Sequence, residues 1–250
     1  MKNRKVMFKG IILTMALVGV TSVCMAQEYD VESFTTNSGK TVDITLIKHG
    51  TLALNYDGME IHVDPVADYG KKTDYTKFPK ADVILITHEH RDHFDSNTIH
   101  TLMKEGTVLY LTQRCFDELK EGEVLKNGDR RKINDVIMLD VVPAYNTTPD
   151  HLQFHPKGVG NGYVLTIDGV RIYIAGDTED IPEMSHLKNI DVAFLPMNQP
   201  YTMTVDQAVH AAEMFSPKVL YPYHFGQTDV NPIQTRLENS GTEVRIRAMQ

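Results

Sequence analysis

Three imidazoles and a carboxylate fall within six residues of this chain, at His88, His90, Asp92 and His93. That spacing lies on no single helix face and is not the i, i+4 histidine pair of a helical zinc site. A loop leaving a strand end can turn His88 and His90 toward one point and Asp92 and His93 toward an adjacent one. Nitrogen and carboxylate donors in this proportion suit zinc first, and iron or manganese as alternatives. The bland reading is a polar loop that is rich in histidine by chance. It is the weaker one, because dense His/Asp clusters at strand ends are seldom accidental. The preceding Ala81-Asp82-Val83-Ile84-Leu85-Ile86 is a short apolar run without helical period and reads as a buried strand.

The stretch His88-Glu89-His90-Arg91-Asp92-His93 resembles the His-x-His-x-Asp-His motif of the metallo-β-lactamase superfamily. Later landmarks fit as well: His155 in His155-Pro156-Lys157-Gly158, Asp177 in Gly176-Asp177-Thr178, and His224 in Tyr221-Pro222-Tyr223-His224. The resemblance covers nearly all of the chain after residue 26. It is nearest to the metal-dependent hydrolase branch, similar to L-ascorbate-6-phosphate lactonase and N-acylphosphatidylethanolamine phospholipase D. Carried over residue by residue, it implies a first metal at His88, His90 and His155 and a second at Asp92, His93 and His224, with Asp177 bridging both. His151 is the rival for the place of His155, and the His-Pro-Lys-Gly context favours His155. Asn146 stands where this branch often has asparagine. Asp64 reads either as a carboxylate orienting a ligand histidine or as a turn residue before Pro65. Tyr163, Asn198, Tyr201 and Lys157 are candidates for lining the pocket. His49, His62, His100, His186 and His210 match nothing and are expected at the surface or as satisfied polar positions.

The chemistry implied is that of two divalent ions, zinc expected and manganese or iron possible, about 3.5–4 Å apart. Such a pair lowers the pKa of a shared water from about 15.7 toward roughly 7, so that metal-bound hydroxide attacks a carbonyl or phosphoryl centre. Asp92 or Asp177 is the expected catalytic proton carrier to the leaving group.

The surrounding elements must bring these loops together. Thr41 to Pro65 reads as a hairpin, with Val42, Ile44 and Leu46 alternating and Asp57-Gly58 as the turn. Asp68 to Lys80 is a polar loop bordering the site. A helix capped by Ser96 or Asp95 runs through Lys104, a strand spans Thr107 to Leu111, and Phe116 to Lys120 belongs to a short helix. Ile137 to Val142 is a further strand. Gly162 to Ala175 then repeats the first hairpin, Leu52-Ala53-Leu54-Asn55-Tyr56-Asp57-Gly58 matching Tyr163-Val164-Leu165-Thr166-Ile167-Asp168-Gly169. Ala81-Asp82-Val83 is echoed by Ile190-Asp191-Val192, and Thr107 to Tyr110 by Lys218 to Tyr221, with a core-facing helix from Asp206 to Phe215 between. Two ββαβ-like halves therefore form an internal pseudo-repeat. Each needs a partner for one sheet face and helices for the other, which predicts an α/β fold, a four-layer αββα sandwich. The resemblance implies the same fold.

Lys2, Arg4, Lys5 and Lys9 precede an apolar stretch, Ile11 to Val20, too short to span a bilayer, and Cys24-Met25-Ala26 offers a cleavage point before Gln27. Residues 1–26 are thus expected to be a secretory signal peptide, with lipid anchoring at Cys24 and an uncleaved anchor as the alternatives. Residues 27–250 form one hydrolase domain, periplasmic or secreted and without a stable membrane span. The signal segment holds four of the 25 Lys and Arg and none of the 33 Asp and Glu. The remainder is therefore acidic, with no basic stripe for nucleic acid, and a small-molecule substrate is expected instead. Cys115 is left without a disulfide partner and is read as a packing residue rather than a nucleophile or ligand.

These features point to an exported, dinuclear metal-dependent hydrolase. Its substrate would be an ester, lactone, amide or phosphodiester in a small or lipid-like molecule. A metal-binding or sensing module without turnover, and a di-iron redox enzyme, are the alternative readings.

Overall fold

Side chains alternate across each strand, so neighbouring residues enter different layers. Val83 and Leu85 join one apolar cluster, whereas Ile84 between them joins a second. The computed structural model describes residues 29–249. The signal-peptide expectation, with Cys24, lies outside the described residues. Among them no helix is long and apolar enough to cross a membrane.

The first sheet takes its seven strands in chain order: β1 (Asp30–Thr35), β2 (Thr41–Lys48), β3 (Thr51–Tyr56), β4 (Met59–Val63), β5 (Val83–Leu85), β6 (Val108–Leu111) and β7 (Glu123–Val124). The second runs from β8 (Arg130–Lys132) through β9 (Ile137–Ala144), β10 (Gly160–Ile167), β11 (Val170–Ile174), β12 (Val192–Pro196) and β13 (Val219–Tyr223) to β14 (Glu243–Val244). Both sheets show three antiparallel pairings followed by three parallel ones. The internal repeat read from the sequence is therefore a repeat of topology. Its units are larger than the expected ββαβ, because each half also carries short edge strands.

The inner faces meet in one core, Leu52, Leu54, Val83 and Leu85 against Leu139, Val141, Leu165 and Ile172. Outside the first sheet, α1 (Ser96–Leu102) and α2 (Gln113–Leu119) bury Ile99, Leu102 and Cys115 against Ile84, Ile86 and Leu109. Outside the second, α3 (Val205–Phe215) sets Phe215 edge-on to Tyr173, centroids 5.6 Å apart, and α4 (Pro232–Leu237) packs beside it. The four-layer sandwich expected from the sequence is what forms. Asp57-Gly58 and Asp168-Gly169 both have positive φ at each residue, as the expected two-residue hairpin turns require.

Candidate metal centre

The motif loop leaves β5 and ends where Asp95 caps α1. Asp95 accepts from the backbone N–H groups of Asn97 and Thr98, each at 3.1 Å, and from that of Ala67 at 3.1 Å, so one carboxylate anchors both the helix and the neighbouring loop. Asp177 follows β11 through Gly176, whose φ is +66° and where a Cβ would stand 2.7 Å from the Asn161 carbonyl oxygen. Only glycine suits that turn. His224 follows β13 at φ +46°, and its N–H donates to the His49 carbonyl at 3.0 Å. His155 lies on the loop between β9 and β10.

The residues expected to act together do converge. His88, His90, His155 and Asp177 place ligand atoms within 4.8 Å of one another, and His49, Asp92, His93 and His224 do the same beside them. Asp177 joins the groups. Its Oδ2 lies 3.3 Å from Nε2 of His155 and 3.3 Å from Nε2 of His224, while Oδ1 faces Nε2 of His93 at 3.4 Å. Asp92 Oδ2 is 3.3 Å from His224 Nε2 and 3.2 Å from His49 Nε2.

Hydrogen bonds fix which nitrogen is free in three of the rings, those of His88, His93 and His155. Thr87 has one hydroxyl proton and gives it to Asp64 Oδ2 at 2.6 Å, so the 2.9 Å contact with His88 Nδ1 requires Nδ1 to donate. His93 Nδ1 donates to Asp64 at 2.8 Å. His155 Nδ1 donates to Asn146 Oδ1 at 3.0 Å, while the Asn146 amide donates to the Tyr201 carbonyl at 2.8 Å. Each ring therefore turns a bare Nε2 lone pair toward the cluster. The buried Nε2 atoms of His93 and His155 and Oδ1 of Asp177 have no hydrogen-bond partner. Buried acceptors without donors are costly unless a cation sits among them. The donor set, nitrogen-rich with shared carboxylates, fits zinc-type ions.

Burial lowers the pKa of His88 well below its usual value and also lowers that of His90, keeping them neutral as ligands must be. Burial alone would raise Asp177, but the imidazoles of His224 and His93 outweigh it and hold the carboxylate ionised.

His151, the rival to His155, bonds Glu179 at 3.0 Å and lies outside both clusters, whereas His155 lies within the first. Asp64 is buried and holds Thr87 and His93, which favours the orienting reading. Asn198 and Tyr201 line the cavity over the cluster, about 310 Å³ in volume. Tyr163 and Lys157 do not: Tyr163 is fully buried with its hydroxyl on the Ile86 carbonyl, and Lys157 pairs with Glu183 at the surface. Cys115 lies on the buried face of α2, where burial pushes its thiol up to about 12, too high for a nucleophile at neutral pH.

Two histidines correct the sequence reading. His49, expected at the surface or as an ordinary polar position, is buried in the second cluster, its ring 3.7 Å from that of His224. Its only sequence signal was the following Gly50, where a Cβ would lie 2.6 Å from His93 Cε1. His62 is fully buried on β4, and neither ring nitrogen has a hydrogen-bond partner, Nε2 standing 3.5 Å from Glu60 Oε1. His100, His186 and His210 are exposed as expected.

A family profile described as "Beta-lactamase superfamily domain" matches residues 43–224. The chain belongs to the metallo-β-lactamase superfamily. Its relatives include UPF0173 metal-dependent hydrolases of Ignicoccus hospitalis, 28% identical over 84% of this chain and 95% of that protein, and of Ligilactobacillus salivarius, 30% identical over 73% and 84%. A crystal structure of a provisionally assigned metal-dependent hydrolase from Parabacteroides distasonis is 54% identical, with a TM-score of 0.86 over 89% of this chain and 100% of that one. A metallo hydrolase structure from Ignicoccus hospitalis superposes with a TM-score of 0.69 at 28% identity, covering 83% of this chain and 95% of that one. Within the superfamily this protein is a metal-dependent hydrolase.

Proposed function

We propose that this hydrolase works outside the cytoplasm with two divalent ions, zinc foremost, on an ester, lactone, amide or phosphodiester bond of a small or lipid-like molecule. The observation that carries the reading is Asp177, a buried carboxylate whose Oδ2 lies 3.3 Å from an imidazole of each group, His155 and His224, while its Oδ1 faces His93. His88, His90 and His155 would hold the first ion, and Asp92, His93 and His224 the second, with Asp177 between them. Two ions so held would supply Lewis acidity and would lower the pKa of a bound water toward neutral. The chain's own residues do the rest. Asp64, Thr87 and Asn146 lock the rings in the tautomer that offers Nε2. Asp92 lies at the open side of the cluster, within reach of the cavity, and is the group placed to carry a proton to the leaving atom. The acidic surface disfavours nucleic acid as substrate.

The deciding experiment combines elemental analysis of purified protein with turnover on a panel of esters, lactones, amides and phosphodiesters. The expected result is close to two metal equivalents and hydrolysis of at least one class. One equivalent, iron with redox activity, or metal without any turnover would each reject it. Export rests on the basic and apolar segments of residues 1–26, and N-terminal sequencing of secreted or periplasmic protein should begin near Gln27. An intact Met1 in the cytoplasm would remove that part.

A further inference from the structure

Arg91 lines the cavity over the metal centre and is exposed at its mouth. Six of the other described arginines, Arg114, Arg130, Arg131, Arg236, Arg245 and Arg247, are held in ion pairs. Arg171 is held by hydrogen bonds to Thr166 and the Lys188 carbonyl. Among the described arginines Arg91 alone has neither kind of partner, in a chain of net charge −8. Acidic side chains are abundant, so a guanidinium left without one at the mouth of the site is available to a ligand. Two aromatic side chains share the same cavity. Phe154 and Tyr201 both line the cavity, stacked edge to face with centroids 5.0 Å apart, and Tyr201 is 44% exposed.

We propose that Arg91 anchors an anionic group of the substrate, a carboxylate or phosphate-type head remote from the scissile bond, while an apolar or aromatic body rests on Phe154 and Tyr201. The guanidinium keeps its charge at any physiological pH, and its planar fork of donors matches an oxyanion in two places at once. A ring laid on the aromatic wall adds contact area and excludes water from that ion pair, which raises its worth above that of a fully solvated one. The class implied is a small amphiphilic acid carrying a hydrolysable bond. This deepens the hydrolase reading and rests on it for the word substrate.

The metal ions attract anions by themselves, so the test must separate them from Arg91. Metal-loaded protein is titrated calorimetrically with phenylphosphonate, phenylacetate, inorganic phosphate and benzyl alcohol, in parallel with Arg91→Gln and Tyr201→Ala. The expected result is that the aromatic anions bind more tightly than the alcohol. Arg91→Gln should weaken the better of the two anions about tenfold or more while its metal content and melting temperature stay at the wild-type values. Tyr201→Ala should weaken that aromatic anion and leave inorganic phosphate unchanged. Comparison of phenylphosphonate with phenylacetate assigns the head group. Equal affinity of wild type and Arg91→Gln for both anions, or no binding of either anion to wild type, overturns the proposal. Arg91-dependent binding without turnover on any bond class would reject the hydrolase reading and keep the anion site; turnover without Arg91 dependence would do the reverse.

Discussion

Asp64 acts through two neighbours. Its Oδ2 takes both the Thr87 hydroxyl and the His93 Nδ1–H, and its Oδ1 takes the Thr87 N–H at 2.7 Å. An amide at this position cannot accept at both ends. Asp64→Asn is therefore expected to weaken the second metal about 10- to 100-fold, the usual cost of losing an orienting partner, and a metal titration reads it directly. Unchanged affinity would leave Asp64 as a turn residue only. Asp177→Asn should be worse, lowering occupancy of both ions, with kcat still depressed when metal is in excess because the ions' positions are disturbed. Restoration of full kcat by metal would mean that Asp177 is not the bridge. The expected ligands were legible in the sequence because they sit in a dense motif or in strand-end contexts that match it. His49 was not, because it comes from a different hairpin and reaches the cluster only through the fold. Thr87 is invisible for a different reason, since a threonine before a histidine carries no chemical signal until its proton is traced.

Two loops frame the cavity, and each is held by one buried charged side chain. Lys48 donates to the carbonyls of Ala67 at 2.9 Å and Lys71 at 2.6 Å, which fixes the segment carrying Tyr69. Glu179 accepts from the N–H groups of Thr147 at 2.7 Å and Thr148 at 2.6 Å and from His151, which fixes the segment carrying His155. Glu179→Gln turns one acceptor into a donor facing donors. It should cost about 1–3 kcal/mol of stability, measured by denaturant unfolding, and weaken the first metal more than the second. A variant as stable as wild type would show that the loop is held otherwise. Hairpins and the longer strands were readable from Asp-Gly turns and alternation. The edge strands β1, β7, β8 and β14 were not, since a pair such as Glu123-Val124 has no period and becomes a strand only by lying against a neighbour. The α1 helix stops at Leu102 rather than Lys104 because Met103 is already extended. Propensity alone places such ends within a residue or two.

At the scale of the whole molecule, the buried His62 makes stability depend on pH. Burial pushes its pKa down to about 4 from 6.5, so the folded state holds the ring neutral while the unfolded chain takes up a proton below 6.5. The sign follows: its contribution is complete above 6.5 and falls as pH drops toward 4, by roughly 1.4 kcal/mol per unit. His62→Met should flatten that part of the curve relative to wild type when unfolding is followed between pH 7 and 4.5. Parallel curves would place the acid sensitivity elsewhere.

The order of the strands has a consequence for how the molecule is put together. No strand of one sheet is borrowed from the other half of the chain, and the passage from β7 to β8 is short and largely exposed around Lys126 and Gly128. The backbone is thus severable there without cutting any sheet, while the metal-ligand candidates are shared out, His49, His88, His90, Asp92 and His93 on one piece and His155, Asp177 and His224 on the other. Co-produced fragments 27–126 and 127–250 should assemble through their common apolar face, and metal should tighten the assembly. Size-exclusion chromatography with and without a chelator tests this, a complex equally stable without metal being the contrary result. On that outcome the covalent chain serves as a tether, and bound metal would act as the rivet between two plates of like topology.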